Sequence, residues 1–87
     1  MNYHELDVEI KKMIMAIVDD VTNNIDIDDE MDLMEDVNLD SMQLIQLLVL
    51  IEDTYNVYID VMHMSADEIN SVGKLIKYVY NLIQNKL

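Results

Sequence analysis

One serine in this 87-residue chain stands where a hydroxyl could do chemistry. Ser41 follows the carboxylate of Asp40, at the junction between an acid-rich segment and an apolar run with the composition of a helix. The chain contains no cysteine, so it has no thiolate nucleophile of its own. We interpret Ser41 as a point at which another enzyme attaches a reactive group. A helix cap with no further role is the simpler alternative.

The other candidate groups form weaker patterns. His4 and His63 are the two histidines; they are not spaced as zinc ligands, and we expect both at the surface. A hydrolase is excluded because no glycine near Ser41 can form the strained turn of a nucleophile elbow. The acids between residues 26 and 36 lack the glycine and glutamate that an EF-hand needs at its sixth and twelfth positions. We therefore expect no catalytic residue and no dedicated metal site.

Periodic apolar residues predict three major helices. The first covers about residues 3–20, the second is capped by Asp40 or Ser41, and the last follows Ser71 as its cap. Apolar residues cover most of the circumference of the second helix. We expect that helix to be the most buried of the three, and an apolar strip offered to partners is the alternative.

The segments between these helices differ from them in composition. Residues 22–40 are rich in acids but retain apolar residues, which predicts a long loop pinned to the core with one short helical turn. Ser65 and Glu68 match a capping box, which predicts a short helix over about residues 65–70. The expected fold class is all-α: a four-helix bundle, three major helices plus a short third helix, with a long acidic loop between helices 1 and 2. We expect a single domain over residues 1–87.

The charge of the chain limits its partners. The net charge is −13, and no Lys or Arg lies between Met13 and Gly73. Such a surface repels nucleic acid and anionic membranes and attracts basic protein surfaces. No apolar run is long enough to span a membrane, and the first residues lack a signal-peptide pattern. We expect a cytoplasmic monomer with no nucleic-acid binding and no membrane insertion.

Methionine is frequent, with eight residues in the chain. We interpret these flexible thioethers as core filling, and a core that opens to shelter a tethered chain is the alternative. An acidic, Met-rich helical protein-interaction module with no covalent prosthetic group is also compatible with this composition. The methionines after the first residue are Met13, Met15, Met31, Met34, Met42, Met62 and Met64.

The stretch from Leu33 to Tyr55 resembles acyl and peptidyl carrier proteins. It consists of an acidic loop, then Asp40-Ser41-Met42 where the family has Asp-Ser-Leu, then a helix that ends in a hydrophobic residue, two acids and an aromatic residue. The resemblance covers nearly the whole chain. It combines this tripeptide with the size, acidity and helix order of the family.

The resemblance implies that Ser41 carries a 4′-phosphopantetheine arm, transferred from coenzyme A by a separate phosphopantetheinyl transferase. Asp40 would assist transferase docking and its metal site. The arm would hold acyl or aminoacyl intermediates as thioesters, and the chain itself would not be an enzyme. Further partners would be an acyl- or aminoacyl-loading enzyme and condensing or transferring enzymes with basic docking surfaces. The implied partner-binding residues are Met42, Gln43, Ile45, Gln46, Glu52 and Asp53.

Two departures from the family pattern bear on these implications. Asn38 stands where many fatty-acid carriers have glycine, and asparagine adopts a positive φ readily, so we expect the turn to survive. Gln43 and Gln46 stand where such carriers commonly have acids. The two glutamines therefore count against housekeeping fatty-acid biosynthesis, and a specialised stand-alone carrier for an unusual acyl group or an aminoacyl unit fits the sequence at least as well. Polyketide and nonribosomal peptide biosynthesis stay open. A degenerate carrier that is never loaded is a third possibility.

Overall fold

The computed structural model describes residues 1–18, 27–60 and 69–86. These residues form three helices, and their only β-type pairing is an isolated bridge between Asp32 and Ser71. No helix in these ranges is long and apolar enough to cross a membrane. The all-α class is confirmed for this part of the chain. The helices are α1 (Tyr3–Val18), α2 (Ser41–Tyr55) and α3 (Val72–Lys86).

Two predicted boundaries fall outside the described residues. The short helix expected over residues 65–70 lies mostly in the range 61–68, and its last two residues, Ile69 and Asn70, form a turn and a bend. The expected end of the first helix at residue 20 likewise lies beyond the described part of α1. The described chain therefore supports three helices of the four that the sequence pattern predicts.

α1 is the helix that packs against both of the others. Leu6, Ile10 and Ile14 repeat every four residues and are fully buried, because this spacing places them on one side of the helix. At its N-terminal end the ring of Tyr3 meets Tyr80 of α3 edge to face, with ring centroids 5.2 Å apart.

α3 begins where Ser71 ends the preceding turn. The Ser71 hydroxyl accepts a hydrogen bond from the backbone N–H of Lys74 at 3.2 Å, which confirms the predicted cap. The apolar stripe that follows is fully buried, so α3 presents one continuous side to the core. The buried residues of this stripe are Val72, Leu75, Ile76 and Val79.

The prediction that α2 is the most buried helix is wrong. Its buried residues are Leu47, Leu48 and Ile51, which lie on one side. Leu44 and Tyr55 are partly buried against the core, and the other apolar residues of α2 are exposed, since this helix packs against α1 along one side. The apolar residues that suggested full burial are thus divided between a buried and an exposed face of α2. The exposed apolar residues are Met42, Ile45, Val49 and Leu50.

The interpretation of methionine as core filling is confirmed only in part, since two of the six methionines in the described ranges pack against the core. The fully buried core of these ranges consists of leucine, isoleucine and valine. Met13 and Met31 are partly buried against it. Met62 and Met64 lie outside the described ranges. The exposed methionines are Met1, Met15, Met34 and Met42.

The described part of the acidic segment, residues 27–40, is pinned to the start of α3. The backbone N–H of Gly73 donates to the carbonyl of Asp29 at 2.8 Å, and the N–H of Leu33 donates to the carbonyl of Asn70 at 3.0 Å. A Cβ on residue 73 would lie only 3.0 Å from that same Asp29 carbonyl oxygen. Glycine therefore lets the loop backbone approach α3 closely enough for the hydrogen bond.

Polar contacts fix α1 to the elements beside it. Lys11 Nζ lies 2.8 Å from Asp29 Oδ1 and 3.2 Å from Asp7 Oδ2, and the hydrogen bond to Asp29 raises the lysine pKa. The Tyr55 hydroxyl donates to Glu9 Oε1 at 2.7 Å. Burial, together with this hydrogen bond, raises the pKa of Tyr55, so the phenol stays protonated as a donor at neutral pH.

Candidate functional site

The turn that leads into α2 is built from alternating buried and exposed residues. Val37 and Leu39 are buried in the core, while Asn38 and Asp40, which follow them in turn, are exposed. The backbone N–H of Leu39 also donates to the carbonyl of Leu33 at 3.0 Å. Because two buried side chains anchor this segment, the Asp40–Ser41 junction is held at the protein surface.

Asn38 has a left-handed backbone conformation in this turn. Its φ is 65°, in the left-handed region that glycine and asparagine adopt more readily than most other residues. The expectation that asparagine preserves the turn is therefore confirmed.

Replacing Asn38 by valine should destabilise the protein by about 1–2 kcal/mol, because a β-branched residue is strained at this φ. Urea unfolding measures the change. Asn38→Gly is the matched control and should stay within about 0.5 kcal/mol of the parent, since glycine adopts this conformation freely. Equal midpoints for the valine and glycine variants would show that the turn does not constrain residue 38.

Asp40 caps α2 through a reciprocal pair of hydrogen bonds. Its Oδ1 accepts from the backbone N–H of Gln43 at 2.7 Å, and Gln43 Oε1 accepts from the N–H of Asp40 at 3.1 Å. This is a capping box. The side chain of Gln43, expected on the partner face, is therefore engaged in fixing the turn. The Asp-x-x-Gln spacing is the signal that could have revealed this role.

Ser41 is the first residue of α2 and is exposed. The N–H groups of Ser41 and Met42 have no partner within the helix, because the first turn lacks preceding carbonyls. They add to the positive end of the helix dipole beside the hydroxyl. The arrangement offers an accessible oxygen next to a local environment that favours an anion.

The exposed residues after Ser41 form an apolar strip. Met42, Ile45 and Val49 recur at intervals of three and four and therefore share one side of α2, and Gln46 is exposed beside them. Met42 is 70% exposed and Ile45 52%. Val49 extends the strip beyond the residues expected from the sequence.

Glu52 and Asp53 are remote from Ser41. They lie eleven and twelve residues further along α2, on the order of 17 Å along the helix axis. Glu52 Oε2 accepts the backbone N–H of Ile59 at 3.3 Å, so this side chain secures the segment after α2. Asp53 is exposed.

The acids of the loop hold its own backbone. Asp32 Oδ1 accepts the N–H groups of Met34 and Glu35, each at 2.8 Å, and Asp36 Oδ2 accepts the N–H of Asp32 at 2.8 Å. A single hydrogen-bonded turn forms there, as expected from the sequence. Some of the acidic residues before Ser41 therefore stabilise the loop, because their carboxylates accept hydrogen bonds from its own backbone.

The two histidines lie apart from this turn in the sequence. His4 is exposed in the first turn of α1, as expected for a surface residue. His63 lies outside the described ranges.

Comparison with known proteins gives two findings. Residues 12–79 match the model of a family described as a phosphopantetheine attachment site, and this span includes all of α2 and the turn before it. The chain is also similar to the D-alanyl carrier proteins of two strains of Lactobacillus delbrueckii subsp. bulgaricus. Each is 31% identical over 77 residues, which cover 86% of this chain and 95% of the relative.

Proposed function

The chain belongs to the acyl and peptidyl carrier proteins, non-catalytic proteins with a covalent 4′-phosphopantetheine, and we propose that Ser41 carries this group. The observation that carries the proposal is the position of Ser41 as the exposed first residue of α2, inside the span that matches the family. A group attached there extends into solvent without displacing a buried side chain.

The local chemistry suits a phosphodiester at this position. In transfer from coenzyme A, Ser41 Oγ would bond to the phosphorus that carries pantetheine as the pyrophosphate P–O bond breaks. Adenosine 3′,5′-bisphosphate would leave, and the serine proton would pass to a base of the transferase. The N–H groups of Ser41 and Met42, at the positive end of α2, would favour the resulting phosphodiester anion. Once bound, the group supplies a terminal thiol that holds cargo as a thioester, a chemistry that the cysteine-free chain lacks.

Asp40 serves two roles in this proposal. Its Oδ1 is engaged by Gln43 and holds the turn in place. The second carboxylate oxygen takes no part in the capping box and is offered to the transferase and its magnesium ion. Removing this carboxylate therefore affects both the helix start and the docking of the transferase.

We assign a D-alanyl group as the cargo. The relatives that support this choice are D-alanyl carrier proteins, and the similarity extends over 95% of their length. Gln43 and Gln46 replace the acids common in fatty-acid carriers, which also favours a specialised carrier over fatty-acid synthesis. The partners are then a phosphopantetheinyl transferase, an ATP-dependent D-alanine-loading enzyme and an enzyme that transfers the D-alanyl group onward.

The docking face in this proposal centres on Met42, Ile45 and Gln46, which are exposed next to Ser41. Asp53 and Glu52 extend it at the far end of α2, where they offer charge to basic groups of a partner. Gln43 contributes indirectly, because its side chain fixes the turn.

Intact mass spectrometry tests the proposal in two steps. The chain is first incubated with coenzyme A, magnesium and a phosphopantetheinyl transferase, and a gain of one arm that maps to Ser41 is expected. The loaded protein is then offered D-alanine, L-alanine or a fatty acid with the matching ATP-dependent ligase. A second carrier protein that the same transferase modifies serves as the positive control, and an unchanged mass of this chain beside it contradicts attachment at Ser41. Preferential loading of a fatty acid contradicts only the assigned cargo.

A further inference from the structure

Methionine is distributed unevenly over this fold. The buried core of the described residues contains no methionine, whereas four methionines are exposed at its surface. Met42 is the most exposed of them at 70%, compared with 45% for Met15 and 42% for Met34. Oxidants in solution therefore reach thioethers on the surface, and Met42 most readily, without entering the described core.

Among the exposed methionines, Met42 is also the one next to the proposed attachment site. It directly follows Ser41 and begins the apolar strip that Ile45 and Val49 continue. α2 carries no charged residue from Ser41 through Ile51. A protein that docks on this part of α2 therefore meets mainly apolar side chains beside the amide of Gln46, and a polar group at residue 42 would disrupt the apolar contact.

We propose that Met42 is a site of reversible oxidation that controls access to Ser41, an inference that rests on the proposed attachment of phosphopantetheine to Ser41. The oxidant is a hydroperoxide such as hydrogen peroxide. The Sδ lone pair attacks one oxygen of hydrogen peroxide, and the O–O bond breaks as the S–O bond forms. The departing hydroxide takes the proton from the new S–OH group, which leaves the sulfoxide and water. Sulfur is oxidised by two electrons and the peroxide is reduced by two.

Oxidation of Met42 changes the docking strip without altering a side chain of the buried core. The sulfoxide is polar and strongly hydrated, so burying it against an apolar partner surface requires removal of that water. The buried leucine, isoleucine and valine side chains do not react with peroxide. Methionine sulfoxide reductases restore the thioether, which makes the modification reversible.

The experiment measures transferase kinetics on the full chain before and after peroxide treatment. Peptide mapping establishes complete Met42 sulfoxide formation, and circular dichroism establishes that helical content is retained. We expect kcat/KM for arm transfer to fall about tenfold, the effect of burying one poorly compensated polar group. Treatment with methionine sulfoxide reductases should restore the original value.

Three variants separate Met42 from the other methionines. Met42→Leu should show the same kcat/KM before and after peroxide treatment. Met15→Leu, whose side chain lies on α1, should keep the basal rate and the full sensitivity to peroxide. Met42→Gln places a polar side chain of similar length at this position and should lower kcat/KM about tenfold without any oxidant.

Several outcomes overturn the inference. These are an unchanged rate with Met42 fully oxidised, equal sensitivity of the Met42→Leu variant, and loss of helical content on oxidation. Failure of the untreated protein to accept the arm contradicts the proposed function itself. Normal loading of the untreated protein with no effect of oxidation contradicts only the role of Met42.

Discussion

Replacing Ser41 by alanine is expected to abolish the mass gain from phosphopantetheinylation. The substitution removes one exposed oxygen and leaves the capping box intact, since that box uses the side chains of Asp40 and Gln43. Alanine is also a strong helix former, so α2 should begin at the same residue. The expected loss of transfer is complete, because no other atom at residue 41 can form the bond to phosphorus. Intact mass spectrometry with excess transferase provides the measurement.

Ser71→Ala is the matched control for this experiment. Ser71 also stands at a helix start, where its hydroxyl accepts the N–H of Lys74. Its removal should lower the free energy of unfolding by about 1 kcal/mol while leaving arm transfer at the parental level. An arm detected on the Ser41→Ala protein, or lost from the Ser71→Ala protein, would move the attachment site away from Ser41.

Replacing Leu48 by aspartate is expected to unfold the protein at 25 °C. Leu48 is 2% exposed and belongs to the single aliphatic core that all three helices share. Loss of the leucine side chain costs about 2–5 kcal/mol, and a buried carboxylate without a partner adds several more. A domain of this size has a total stability of roughly 4–13 kcal/mol, so the substitution removes most or all of it. Circular dichroism and thermal melting measure the outcome.

Val49→Asp provides the comparison at the neighbouring position. Val49 is 49% exposed, so the new carboxylate remains in water and the helical content should be retained. The two variants have the same charge and differ by one residue in position. Similar melting curves for them would contradict the division of α2 into a buried and an exposed face.

Local patterns were sufficient to predict the turn and the cap that lead into α2. Asn38 could be assigned a positive φ, and Asp40 a capping role, because turns and caps depend on residues a few positions apart. The stripes of α1 and α3 were equally clear, since their polar residues mark the solvent side. The capping partner Gln43 was within reach of the same reasoning, through its spacing from Asp40.

Features that depend on distant residues could not be predicted. α2 is apolar on nearly every side, so its sequence does not show which side α1 covers. The contacts of Lys11 with Asp29 and of Tyr55 with Glu9 join residues from different parts of the chain, and no local period indicates them. Methionine was assigned to the core from its apolar character, which cannot distinguish a buried side chain from an exposed docking residue.

The hydrogen bonds between the acidic loop and the start of α3 have a consequence for the order of events during synthesis. The loop carbonyl of Met31 accepts the N–H of Val72, and Leu33 pairs with Asn70, across about forty residues of sequence. A nascent chain that has emerged only through α2 lacks these hydrogen bonds. The loop and the turn that leads into Ser41 are then not yet anchored to α3. A transferase that recognises the anchored turn would therefore discriminate against ribosome-bound chains in which α3 has not emerged.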